Sequence, residues 1–141
     1  MQKRSGAAAG RGRATARPRT LAIDVGGTGL KASVLDPRGG MITDRLRVAT
    51  PAPAPAKVLV DALVGLVAPL GGFERVSIGF PGVVRDGRVM TAPHFGTKRW
   101  HRFGLAGALA KRFGKRRRLD RAGLRRAFHG CAVPRQGASE R

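Results

Sequence analysis

The chain has 141 residues, and its 28 Lys and Arg against 8 Asp and Glu give a formal net charge of +20 at pH 7. That length bounds it at one domain, and an apolar fraction of 42% belongs to a chain with a core to bury rather than a wholly disordered one. No stretch approaches the roughly 18 consecutive apolar residues of a membrane span, the basic start lacks the apolar segment of a secretory signal, and the single Cys131 excludes both an internal disulfide framework and a cysteine-built zinc site, so a cytoplasmic location is expected.

The charge is concentrated at the two ends. Residues 1–19 carry six basic residues and no acid, and residues 111–141 carry 11 basic and 2 acidic, whereas residues 20–110 carry 11 basic and 6 acidic. The first 19 residues, rich in Gly, Ala and Arg without apolar periodicity, read as a disordered basic leader. From Thr20 the pattern changes. Leu21 to Val25 form a short apolar run ending in Gly26-Gly27-Thr28-Gly29, a strand followed by a tight turn. Leu30 to Leu35 make a second strand. After the turn Asp36-Pro37-Arg38-Gly39-Gly40, a third runs from Met41 to Val48, with Ile42, Leu46 and Val48 on one alternating face. Three consecutive antiparallel strands are the simplest arrangement.

A Pro and Ala connection, residues 50–55, leads into Leu59, Ala62, Leu63, Leu66, Val67 and Leu70, whose spacing predicts an amphipathic helix ended by Gly71-Gly72. Val76 to Phe80 form a further buried strand that stops at Pro81-Gly82. Val83-Val84 and Val89-Met90 flank an Asp86-Gly87 turn as a small hairpin, and Leu105, Ala106, Leu109, Ala110 and Phe113 mark a last helix. The order is β-β-β-α-β, hairpin, α.

The chemistry lies first in Asp24 to Lys31. An acid at a strand end is followed by glycines whose bare backbone lets phosphate oxygens reach N–H groups, and then by a hydroxyl and a lysine. This set serves as a cradle for phosphate and Mg²⁺. The loop is neither a Walker A sequence nor a dinucleotide fingerprint, since no helix opens after it. Taken alone, it serves equally as a plain hairpin turn with left-handed glycines.

The string LAIDVGGTGLKASVLD, then a third strand and a helix, then SIGFPGVV, DGRV and TAPHFGTKRW, resembles the ROK family of sugar kinases and regulators, with its polyphosphate or ATP glucokinase branch nearest in wording. The resemblance covers residues 20–114. It implies an α/β fold, the first lobe of an actin-like, ribonuclease H-like ATPase. It further implies Mg²⁺ with ATP or polyphosphate as cofactors, and a small-molecule sugar as acceptor. Asp24 would be the acid near Mg²⁺, with Gly26, Gly27 and Thr28 around the transferring phosphates and Lys31 adding positive charge. The turn at Gly82 would line the sugar pocket, and His94 stands where relatives commonly have a sugar-contacting Asn. A solvated loop histidine is the alternative for His94, and Trp100 reads as an anchor for its loop rather than a sugar platform.

Residues 115–141 depart from the family, which continues there into a strand and an Asn-Asp segment carrying the general base. Here the chain reads RRRLDRAGLRRAFHG, in which Asp120 lacks that context, so no catalytic residue is assigned and little turnover is expected of the chain alone. A nonspecific partner for the basic ends is nucleic acid or another polyanion. Against a dedicated nucleic-acid reader stand the absence of Tyr and an aromatic content of 5%. The abrupt Arg-rich run reads as a shifted reading frame or a truncated gene product. If the frame is shifted, the coding DNA past Lys115 will encode an Asn-Asp segment and a second lobe in another frame; frames lacking both overturn that reading.

Overall fold

The structure is a computed structural model and describes residues 17–114. The basic leader up to residue 16, the tail 115–141 and Cys131 lie outside the described residues. Three strands open the fold: β1 (Thr20–Val25), β2 (Gly29–Leu35) and β3 (Leu46–Ala49). Helix α1 (Ala56–Val67) then crosses to β4 (Arg75–Gly79), which is followed by the hairpin β5 (Val84–Arg85) and β6 (Arg88–Val89), the single turn α2 (Thr97–Trp100) and α3 (Leu105–Gly114). The main sheet has the order β3-β2-β1-β4, with β1 antiparallel to β2 and parallel to β4. The expected element order is therefore observed, with α2 as an addition.

Alternation along β1 divides the sheet. Leu21, Ile23 and Val25 are buried, and their cross-strand partners Val34, Ala32 and Leu30 continue the same apolar face onto β2. This face packs on Leu59, Leu63, Leu66 and Val67 of α1 and on Leu105, Leu109 and Phe113 of α3 in one core. Each such side chain contributes about 1.5–3 kcal/mol when fully buried. The opposite face carries Ala22, Asp24, Lys31 and Ser33, which border a shallow depression of about 280 Å³ together with Arg45.

Two boundaries and one burial pattern differ from expectation. The third strand begins at Leu46 rather than Met41. Ala32 faces Leu46, so an unbroken ladder would put Thr43 opposite Leu35, yet Leu35 pairs with Met41. Two extra residues are thus accommodated as a bulge, stabilised by the Thr43 hydroxyl accepting the Val34 N–H at 2.9 Å. Ile42 and Val48 remain 48% and 40% exposed on this rim, so the predicted apolar face is only half used. Helix α1 stops at Val67, short of Leu70, because Pro69 has no N–H to donate to Gly65; the Ala68 N–H turns to the Gly65 carbonyl instead. Finally, β4 is buried on one face only: Val76 is inside while Ser77 is exposed.

Asp61 ties α1 to α3. Its carboxylate accepts from the Arg112 guanidinium at 2.6 Å and from the Lys57 ammonium at 3.2 Å. The Arg112 bond first, and then the Lys57 bond, hold its carboxyl below the ordinary 3.8. A carboxyl depressed in the folded state contributes stability that is present above its unfolded value and lost as pH falls through the folded one. Asp61→Asn should therefore flatten the fall of Tm as pH drops from about 5 to about 2, read by circular dichroism. A wild-type acid limb no steeper than that of the variant overturns the coupling.

Candidate active site

β1 and β4 run parallel with Asp24 opposite Gly79, so the loops that follow them emerge side by side at the carboxyl end of the sheet. Ligands of open α/β sheets bind at that edge. The loop after β1 is closed by the Gly26 N–H donating to the Gly29 carbonyl at 2.9 Å. A Cβ at Gly26 would sit 2.8 Å from that oxygen, so glycine is required there by close approach. None of Gly26, Gly27 and Gly29 has a positive φ, which rules out the left-handed version of the hairpin turn. Among the described residues, neither the Gly27 nor the Thr28 N–H has a protein acceptor, so the loop tip offers two consecutive donors.

β3 pins this loop from the side. The Thr50 hydroxyl donates to the Gly26 carbonyl at 2.7 Å, and the Thr50 N–H donates to the Thr28 carbonyl at 3.1 Å. Arg47 lies over Gly29, its Nε 3.3 Å from where a Cβ would be. Thr50 and Arg47 had no local signal in the sequence, because only the β2–β3 register brings them to the loop. The cross-strand pair Asp24 and Lys31 places the Lys31 Nζ 3.9 Å from Asp24 Oδ2. With Asp24 about two-thirds exposed, this pair is worth little to stability. Its consequence is electrostatic: the Asp24 carboxylate remains accessible beside the Lys31 ammonium, with Arg45 bordering the same depression.

The second loop approaches the first. His94 is exposed, and its Nδ1 lies 3.4 Å from the position of a Gly27 Cβ. Gly82 is held by a different constraint, since a Cβ there would overlap the Thr91 carbonyl oxygen. The Val83 N–H donates to the Thr91 hydroxyl at 3.0 Å and the Met90 N–H to the Val83 carbonyl at 2.7 Å, which folds the hairpin back on the Phe80-Pro81-Gly82 turn. Trp100 fixes the far end of this loop. It is fully buried, its Nε1–H donates to the Ala54 carbonyl at 3.0 Å, and its ring packs 5.4–5.7 Å from Phe80, Phe95 and Phe103. Its role is that of an anchor. The structure thus brings Asp24, Gly26, Gly27, Thr28, Lys31 and His94 together, and attaches Gly82 through the Thr91 clamp.

A sequence model described as the ROK family matches residues 20–122. The chain belongs to the ROK family. The ROK chain is 44% identical over 77 residues to an N-acetylmannosamine kinase of Shigella boydii, a match that covers 53% of this chain and 26% of that protein. Among solved structures it is similar to an inorganic polyphosphate/ATP-glucomannokinase from Arthrobacter, with TM-score 0.62 and 30% identity over 69% of this chain and 41% of that one. It is also similar to a ROK glucokinase from Streptomyces griseus in complex with glucose and AMPPNP, with TM-score 0.59 and 35% identity over 68% of this chain and 30% of that one. These neighbours share the expected actin-like α/β fold, and the chain spans about a quarter of the length of the curated relative.

Gly82 and Gly27 have opposite tolerances. Gly82→Ala should cost about 2 kcal/mol or more in urea denaturation, because backbone rather than a movable side chain blocks the new methyl. Gly27→Ala meets only the His94 ring at ordinary contact distance and should stay within about 0.5 kcal/mol of wild type. Equal losses at the two sites overturn this distinction.

Proposed function

We propose that the chain is the donor-phosphate half of a sugar kinase, built for phosphoryl transfer from ATP or inorganic polyphosphate to the hydroxyl of a glucose-type hexose or an N-acetylhexosamine. The observation that carries this reading is the pair of unpartnered amides at Gly27 and Thr28, set beside an accessible carboxylate at the carboxyl end of a parallel strand pair. Fixed N–H donors stabilise phosphate oxygens without reorganising during transfer. Support for the sugar comes from the acceptors named by the N-acetylmannosamine kinase and glucokinase relatives.

Asp24 fits a Mg²⁺-phosphate complex, since Mg²⁺ needs only one or two carboxylates when water and phosphate oxygens complete its shell. When bound, Mg²⁺ neutralises charge on the donor phosphates. In this reading the Gly26–Thr28 backbone orients the transferring group, and Lys31 balances the carboxylate. His94 and the turn at Gly82 border the acceptor side, where a ring N–H of His94 donates to a sugar or phosphate oxygen.

Transfer also needs a base in line with the sugar hydroxyl. Among the described acids other than Asp24, Asp36 accepts the Arg38 and Gly40 amides, Asp61 is bound by Arg112, Glu74 pairs with Arg19, Asp44 lies in the segment before β3 and Asp86 in the β5–β6 turn. None of these is a free base at the loop, so the chain by itself is proposed to bind donor without efficient turnover, in a cytoplasmic setting.

The experiment offers the purified full chain Mg²⁺ with AMPPNP or polyphosphate, and in parallel assays glucose and N-acetylmannosamine phosphorylation. The expected result is donor binding that weakens about tenfold or more in Asp24→Ala, with no turnover of either sugar. Donor binding unaffected by Asp24→Ala overturns the assignment of the loop. Turnover that depends on Asp24 overturns the proposed lack of a base.

A further inference from the structure

The glycine loop owes the direction of one amide to a residue outside it. A trans peptide group is planar, with its carbonyl and N–H on opposite sides, so holding one fixes the other. The Gly26–Gly27 peptide is trans, and the Thr50 hydroxyl donates to the Gly26 carbonyl at 2.7 Å. The Gly27 N–H therefore points away from Thr50. The Thr50 N–H holds the Thr28 carbonyl at 3.1 Å, and the Gly26 N–H closes the loop on the Gly29 carbonyl. Among the described residues, only the Thr50 hydroxyl bonds to the peptide that carries the Gly27 N–H.

That peptide needs an external hold. It is flanked by glycine on both sides, and glycine enters backbone conformations that a Cβ forbids, so rotation of the plane meets little steric resistance. Alanine cannot supply the stiffness at Gly26, where a Cβ would lie 2.8 Å from the Gly29 carbonyl oxygen. The hold itself is stiff. Thr50 stands opposite the loop because Gly29 pairs with Ala49 in the β2–β3 register. Its branched Cβ restricts χ1, and the following Pro51 confines its backbone to the extended region. Further along the same connection, the buried Ala54 accepts the Trp100 indole N–H at 3.0 Å, which fastens the other end.

We propose, resting on the reading of this loop as the phosphoryl-donor site, that Thr50 is a positioning residue. Its hydroxyl keeps the Gly26–Gly27 peptide from flipping, so that the Gly27 N–H and not the Gly26 carbonyl faces the phosphate. A carbonyl turned into that place would offer only an acceptor to the phosphate oxygens.

The test compares the isotope-labelled full chain with Thr50→Val, which keeps the shape and loses the hydroxyl, and with Thr50→Ser, which keeps the hydroxyl. Residual dipolar couplings in a stretched neutral gel read the direction of the Gly27 N–H with no ligand present, and titration with AMPPNP and Mg²⁺ reads affinity. In Thr50→Val the Gly27 coupling should depart from the wild-type value while those of β1 and β2 stay, and AMPPNP should bind about fivefold or more weakly. Thr50→Ser should keep the wild-type coupling and bind within about twofold of wild type. Thr50→Ala removes the same hydroxyl and takes the place of the valine variant if that chain does not fold.

The role is overturned if either readout is unchanged in the folded chain without the hydroxyl. Couplings that shift throughout β1 and β2 assign Thr50 to general strand pairing and overturn it equally. A wild-type chain that binds no AMPPNP overturns the reading of the loop instead, and the Gly27 coupling then judges the Thr50 hold by itself.

Discussion

β1 is hydrogen-bonded along both edges, antiparallel to β2 and parallel to β4, and the positions of Asp24, Lys31 and the glycine loop follow from this. The antiparallel edge makes the chain turn immediately after Val25, so the glycine loop is a hairpin and not the mouth of a helix. The parallel edge brings the end of β4 alongside, so a second loop 55 residues later in register faces the first. Because side chains alternate, the same strand that buries Leu21, Ile23 and Val25 must send Asp24 to the open face, where it meets Lys31. A one-residue slip would bury the carboxylate and expose the three apolar residues, so hydrophobic burial itself enforces the placement of the acid.

The second loop owes its position to a different force. Residues 91–103 have no long helix or strand, and they are held by a fully buried Trp100, three ring contacts and the indole hydrogen bond to Ala54. Such aromatic pairs contribute about 0.5–1.5 kcal/mol each beyond the area they bury. The Thr91 carbonyl against Gly82 then fixes the near end. His94 is therefore carried by a loop fastened on both sides, which is how an exposed side chain keeps a defined position against Gly27.

Much of this was legible in the sequence because strand and helix periods are written in apolar spacing. The order β-β-β-α-β-hairpin-α, the glycine loop and the Asp86-Gly87 turn all came from local patterns. The bulge in front of β3 was not legible, since Met41 to Val48 alternate well enough for a continuous strand and only pairing with β2 reveals the two extra residues. The end of α1 was legible in principle: Pro69 sits two residues before the Gly71-Gly72 pair. Thr50 and Arg47 belong to the loop through long-range register alone, and no spacing rule reaches across 24 residues to Gly26.

The contrast between the two cationic regions shows why net charge is a poor guide to function in this chain. Over residues 20–110 the excess is only five, yet it is not uniform. Around the glycine loop, Lys31 is matched by Asp24, and the specific donors are backbone amides whose direction is fixed by Gly26 and Thr50. At the β5–β6 hairpin the charged groups are side chains, and the Asp86-Gly87 turn sets Arg85 opposite Arg88 without an acid paired to either among the described residues. Oriented amides favour a particular phosphate geometry, whereas clustered guanidinium groups favour density of negative charge.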